Sequence, residues 1–214
     1  ATYVGNKDCT QCHEDETSHF GSASHAKVAL PADPKLGSTS CEACHGPGSL
    51  HSKSGGAKGT LVNPRKSPET CYQCHTDKRG EFALPNSHQV NDGKMSCGDC
   101  HNPHEGNAIK GSGASMESEK ETCTKCHTAQ KGPFVFQHNA MKEGCTACHS
   151  PHGSINAKML VARDANLCLR CHLEAPDAGS SGQINANAIR HTSENHNSRL
   201  MQGTCWSAGC HEQP

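Results

Sequence analysis

The chain has 214 residues and a formal net charge of −1, which offers no basic footprint for nucleic acid. Hydrophobic residues make up 32%, with four Phe, two Tyr and one Trp, too little apolar area to offset the entropy of ordering the chain around its own side chains. No apolar run reaches the roughly eighteen residues that span a bilayer, yet a disordered, solvating chain has no use for sixteen cysteines and seventeen histidines, so something other than side chains must fill the interior.

Ala1 in place of Met points to a mature sequence whose targeting segment has been removed. A C-x-x-C-H stretch follows at Cys9, Cys12 and His13, with His19 and His25 behind it. The second stretch, Cys41, Cys44 and His45, is followed by His51 and the Gly-rich run Gly46–Gly59. Within and just beyond that run, Gly55-Gly56-Ala57-Lys58-Gly59-Thr60 lacks the G-K-[ST] order of a phosphate loop and reads as a flexible connector. Ser67-Pro68-Glu69 supplies an N-cap, a proline at N1 and an acid in the first turn, and predicts a short helix carrying Cys71, Cys74 and His75. His88 comes next, and then Cys97, Cys100 and His101 run directly into Asn102-Pro103-His104. After an irregular stretch, Gly106–Ser115, a capping box at Ser118-Glu119-Lys120-Glu121 predicts a helix for Cys123, Cys126 and His127, with His138 beyond. Cys145, Cys148 and His149 lead into Ser150-Pro151-His152, and Asp164 is placed to cap the turn carrying Cys168, Cys171 and His172. A second irregular stretch, Pro176–Gly182, precedes His191, His196 and a longer variant, Cys205-Trp206-Ser207-Ala208-Gly209-Cys210-His211. Neither amphipathic helices of useful length nor alternating strand patterns appear.

Every cysteine is used once, in eight pairs, and each second cysteine is followed by histidine. Two cysteines one helical turn apart form thioethers to the vinyl groups of one c-type heme, and the adjacent histidine ligates its iron. In the eighth motif the small Ser207, Ala208 and Gly209 let the longer loop bulge. A disulfide framework would not place histidine after each pair, zinc ribbons would leave those histidines unexplained, and a thioredoxin-like site needs a βαβ pattern. The proximal iron ligands are therefore His13, His45, His75, His101, His127, His149, His172 and His211. Covalent attachment takes place outside the bacterial cytoplasm, so the protein is expected to be exported: periplasmic, outer-membrane-associated or extracellular. With ionised propionates, each oxidised heme adds one net negative charge and takes the holoprotein to about −9.

Nine histidines remain for eight sixth-ligand positions. His25, His88 and His138 each follow an odd-numbered motif by 11 to 13 residues, and His51, His104 and His152 each closely follow an even one. In the last two of these, proline fixes φ and holds the second imidazole in one direction. His75–Gly80 and His127–Gly132 also repeat one pattern. His191 and His196 complete the candidate distal set of His25, His51, His88, His104, His138, His152, His191 and His196, leaving His19 as the spare. Met95, Met116, Met141, Met159 and Met201 read as gap-fillers against porphyrin.

The expected fold is mostly irregular coil with short α-helices, wrapped around a continuous chain of eight covalently bound c-type hemes, with little or no β-sheet. It forms one octaheme domain of four two-heme units, about 1–60, 61–115, 116–160 and 161–214. At Cys41–Gly48, Cys97–Gly106 and Lys131 through His149-Ser150-Pro151-His152-Gly153 to His172, about 60% of the chain, the sequence resembles the periplasmic multiheme cytochromes of the DmsE family, including the Mtr-type decaheme conduit cytochromes. That resemblance implies low-potential bis-histidine hemes in a row, held inside or beside an outer-membrane porin and passing respiratory electrons outward. The chain departs from the pattern in having eight motifs rather than ten and a C-x4-C-H motif last. Long-range electron transfer without catalysis is the expected function, with other multiheme cytochromes, a porin, or copies of the chain itself in a conductive filament as partners. The alternative is a multiheme reductase with one open heme site.

Overall fold

The computed structural model describes residues 1–28, 39–105, 118–135 and 137–171. Gly106–Ser115, Pro176–Gly182, His172, His191, His196, the eighth motif, Met116 and Met201 lie outside the described residues. The chain divides into two compact units, one of Ala1–Ala83 and His88–Gly132, the other of Leu84–Ser87 and Pro133–Pro214.

The described chain is mostly coil with short helices and no sheet, as expected: α1 (Asn6–Thr10), α2 (Glu14–Phe20), α3 (Ser40–His45), α4 (Ser49–Lys53), α5 (Glu69–Tyr72), α6 (Thr76–Glu81), α7 (Glu119–Thr124) and α8 (Ala165–Leu169), with 3-10 turns between them. None of these helices is long and apolar enough to cross a membrane. Each motif among the described residues sits on a helix or tight turn because its spacing requires one. In five of them the histidine N–H donates to the carbonyl of the first cysteine: His13 to Cys9 (3.0 Å), His75 to Cys71 (2.9 Å), His101 to Cys97 (2.9 Å), His127 to Cys123 (3.0 Å) and His149 to Cys145 (3.0 Å). That single turn puts both cysteines on one side.

Local signals were honoured unevenly. Ser67 Oγ accepts from the Glu69 amide at 3.3 Å and starts α5 as expected. Ser118 Oγ accepts from the Glu121 amide at 3.1 Å, but the Glu121 carboxylate takes the Ser118 hydroxyl proton instead of the backbone N–H of a full capping box. Asp164 precedes α8 without capping it, since its carboxylate turns to Arg163 Nε at 3.0 Å. The Gly46–Gly59 run is not irregular throughout: α4 lies within it and carries His51. The repeated segments after His75 and His127 also diverge, the first forming α6 and the second a 3-10 turn at Thr128–Lys131.

Unit one is strapped together by polar contacts. Thr2 and Ser49 exchange hydrogen bonds, the Thr2 amide to Ser49 Oγ at 2.8 Å and the Ser49 amide to Thr2 O at 3.1 Å. The buried Glu42 carboxylate accepts from the amides of Val4 (3.0 Å), Gly5 (2.9 Å) and Gly48 (2.8 Å), pinning the N-terminal segment and the α3–α4 turn to one point. Among the described residues, the buried hydrophobic side chains are only Ala23, Tyr72 and Val90. Such a set cannot hold a domain together by area burial at about 25 cal/mol per Å². In unit two, Asn86 and Ser154 form an antiparallel bridge (3.1 and 2.8 Å), and the chain after His152 folds back so that the Val161 amide donates to Cys148 O at 2.9 Å.

Replacing Glu42 by alanine strands three buried N–H groups. Amide exchange at Val4, Gly5 and Gly48 should rise about 10- to 100-fold, read by hydrogen–deuterium exchange of the holoprotein, with no such change in unit two.

Candidate functional site

The helices and turns place four motif histidines of unit one opposite four non-motif histidines. His13, at the start of α2, faces His51 of α4 with ring centres 6.3 Å apart and planes inclined by 20°. His45, the last residue of α3, faces His104 at 6.0 Å and 15°. His75 faces His25 at 6.0 Å and 63°, and His127 faces His88 at 6.1 Å and 62°. Rings in direct contact would sit at different separations when stacked and when edge-on. Here the separation stays the same whatever the angle.

A single atom between the rings accounts for that constancy. A ring centre lies about 1.2 Å from its Nε2 and an iron–nitrogen bond is about 2.0 Å, so two imidazoles sharing one iron would hold their centres about 6.4 Å apart. The residues present therefore fit a six-coordinate heme iron at each of the four pairs. His25 and His104 also have their pKa values lowered, by burial first and then by the facing His75 and His45 respectively, which favours the neutral imidazole an iron requires.

Tautomers are set by oxygen acceptors on the far side of the ring. His45 Nδ1 lies 3.1 Å from Val62 O, and a carbonyl only accepts, so the proton is on Nδ1 and Nε2 is free for metal. His149 makes the same contact with Lys158 O at 2.8 Å, in a turn where Lys158 and Met159 adopt φ of 56° and 55°. His51 Nδ1 reaches Thr60 Oγ1 at 3.0 Å, while the Thr60 hydroxyl proton goes to Ala57 O. The Gly55–Thr60 run, expected to be a connector, is thus an ordered clamp on His51, with Gly56 (φ 92°) about 4.0 Å from the ring as judged from where a Cβ would stand. A cavity of about 560 Å³ opens beside Val62, lined by Leu61 and Val62 with Lys58 and Lys66 at its wall.

The cysteines connect the motifs in chain order. The Cys9 and Cys41 thiols lie close enough to perturb each other's ionisation, as do those of Cys71 and Cys97. Cys44 feels the charge of Cys74, and Cys100 that of Cys126. First cysteines meet first, then second meet second, so motifs one to five follow one another in space. As free thiols Cys41 and Cys97 are each pulled down to about 7 by the partner thiol; attached to heme they are thioether sulfurs without a proton.

His19 lies on α2, outside the four facing pairs. His138 heads the 3-10 turn Asn139–Lys142 and His152 follows motif six. Sequence reasoning did not single out Val62, Thr60 and Lys158, which hold the rings of His45, His51 and His149, or Glu42, which pins the N-terminal segment, or Phe20, whose ring meets His104 edge-on at 6.2 Å. Contacts of this kind carry no spacing signal.

The family model described as a doubled CXXCH motif matches residues 88–132 and 138–176. The chain is 31% identical over 190 residues to the multiheme cytochrome MtrA of Shewanella baltica, covering 79% of this chain and 53% of that protein. It is 35% identical over 94 residues to cytochrome c-554 of Nitrosomonas europaea, covering 36% of this chain and 38% of that one. The chain thus spans about half the length, or less, of the curated relatives it matches. The matched residues contain the fourth to seventh Cys–Cys–His motifs of this chain.

Gly56→Ala puts a Cβ on a residue with φ of 92° and should destabilise the holoprotein by about 1–3 kcal/mol. Gly21→Ala, at φ −57° with open space around it, should change stability by less than about 0.5 kcal/mol. Denaturant titration followed by visible circular dichroism compares the two.

Proposed function

We propose that this multiheme c-type cytochrome carries eight hemes, each iron closed by two histidines, and moves electrons along them without catalysing a reaction of its own. The observation that carries this reading is the set of four motif-to-non-motif histidine pairs at 6.0–6.3 Å. When bound, the heme supplies a one-electron iron couple. The protein's residues do the rest: thioether cysteines fix each macrocycle, paired imidazoles deny the iron a substrate position, and Nδ1 acceptors hold the rings still so that little rearranges with charge.

In this assignment His13 and His51 would hold the iron of motif one, His45 and His104 that of motif two, His75 and His25 that of motif three, and His127 and His88 that of motif five. The proximal ligands of the other four hemes are His101, His149, His172 and His211, and His138, His152, His191 and His196 supply their distal ligands. Similarity to a multiheme cytochrome of Shewanella over most of the chain supports a role in extracellular electron transfer, in an exported protein that exchanges electrons with other multiheme cytochromes, beside an outer-membrane porin. Assembly into a filament of identical copies is the second arrangement the same wire could serve.

Mass spectrometry of the holoprotein should show eight attached hemes, and the ferric protein should be fully low-spin. His25→Ala, His51→Ala, His88→Ala and His104→Ala should each create one high-spin heme that binds carbon monoxide, and His19→Ala none. A high-spin heme in the unaltered protein would favour the reductase reading instead. Negative-stain microscopy and co-purification distinguish filaments from a β-barrel complex.

A further inference from the structure

The four histidine pairs fall into two geometric sets. The rings on motifs one and two are near-parallel, at 20° and 15°, whereas those on motifs three and five are steeply crossed, at 63° and 62°. Ring orientation matters to a low-spin ferric iron because its d-orbital hole lies in a nearly degenerate pair. Each imidazole donates π density perpendicular to its own plane. Two parallel rings raise the same orbital, the hole settles there, and the ferric state is stabilised. Crossed rings raise both orbitals alike and that stabilisation is lost.

Independent features converge on the same two motifs. Glu42, buried and held by three amides, places its charge where both Cys9 and Cys41 feel it. A fixed negative charge beside the iron favours the more positive ferric form. Nδ1 acceptors act in the same direction by making the imidazole a stronger donor. His45 Nδ1 has Val62 O at 3.1 Å and His51 Nδ1 has Thr60 Oγ1 at 3.0 Å, while the Glu16 carboxylate, 3.7 Å from His13 Nδ1, is a nearby negative charge beyond hydrogen-bond distance.

We infer that the residues around motifs one and two, namely Glu42, Glu16, Thr60, the Val62 carbonyl and the parallel pairs His13/His51 and His45/His104, hold irons of lower reduction potential than those between His75/His25 and His127/His88. Resting on the bis-histidine reading, this makes the N-terminal end of unit one its electron-donating end.

Low-temperature electron paramagnetic resonance of the ferric holoprotein tests the inference. Two low-spin classes should coexist: rhombic signals from parallel rings and strongly anisotropic signals at low field from crossed rings. His104→Ala should remove intensity from the rhombic class and His25→Ala from the anisotropic class, fixing the assignment. On poising at successively lower potential, the anisotropic signal linked to His25 should vanish before the rhombic signal linked to His104. Glu42→Gln, which keeps the shape and removes the charge, should shift part of the rhombic class to higher potential and leave the anisotropic class in place. A single class, the reverse order of reduction, or an unmoved rhombic class in Glu42→Gln overturns the inference. A high-spin signal in the unaltered protein would instead overturn the bis-histidine reading beneath it. If the histidine variants do not fold, the unaltered protein and Glu42→Gln still decide, since Glu42 lies against motifs one and two.

Discussion

Two imidazoles can share one iron only if their ring centres stay close to a fixed separation, and in unit one that requirement organises the chain. It is met four times, at 6.0–6.3 Å, by histidines 38 to 59 residues apart in sequence. Each pair acts as a long-range staple: it ties a turn that carries thioether cysteines to a segment elsewhere in the chain. Few other long-range forces are available, because the described residues bury only Ala23, Tyr72 and Val90 among hydrophobic side chains. The local turns are short, and helices of four to seven residues do not persist alone in water. Among the described residues unit one is held by polar straps such as Glu42, and an iron shared by each facing pair would add a staple to them.

Those straps and the site are built from the same residues. Val62 is both the return point of the loop after motif two and the acceptor that fixes the His45 tautomer. In unit two the chain after motif six makes the corresponding return, with Lys158 O on His149 Nδ1 and the Val161 amide on Cys148 O. The loops after motifs two and six thus share a task, which is to come back and hold the motif histidine's ring. Glycine enters where that return needs left-handed backbone, as at Gly46 (φ 73°) next to Val62. The cost of such loops is offset because they order a ligand as well as themselves.

Much of the site was legible from spacing alone. C-x-x-C-H is a one-turn device, so the thioether cysteines and proximal histidines could be named without a fold, and the scarcity of apolar residues already required a non-protein interior. The helix starts at Ser67 and Ser118 were also readable, since a cap acts over three or four residues. Asp164 was misread because the neighbouring Arg163 competes for its carboxylate. The Gly55–Thr60 run was misread because glycine signals freedom in isolation and a fixed turn only once His51 and Thr60 are placed against each other.

What the sequence determined by itself is the motif chemistry: cysteine pairs and adjacent histidines spaced for c-type heme, and a histidine count large enough for a second ligand at each. Those are properties of local covalent spacing and of counting. The pairing was decided by tertiary structure alone, as were the two ring-plane angles and the placement of the Glu42 charge beside motifs one and two. His25 turns to motif three rather than motif one, and His104 to motif two rather than motif four. No periodicity encodes that choice, because a ligand's partner depends on how distant turns pack, and sequence distance does not measure it.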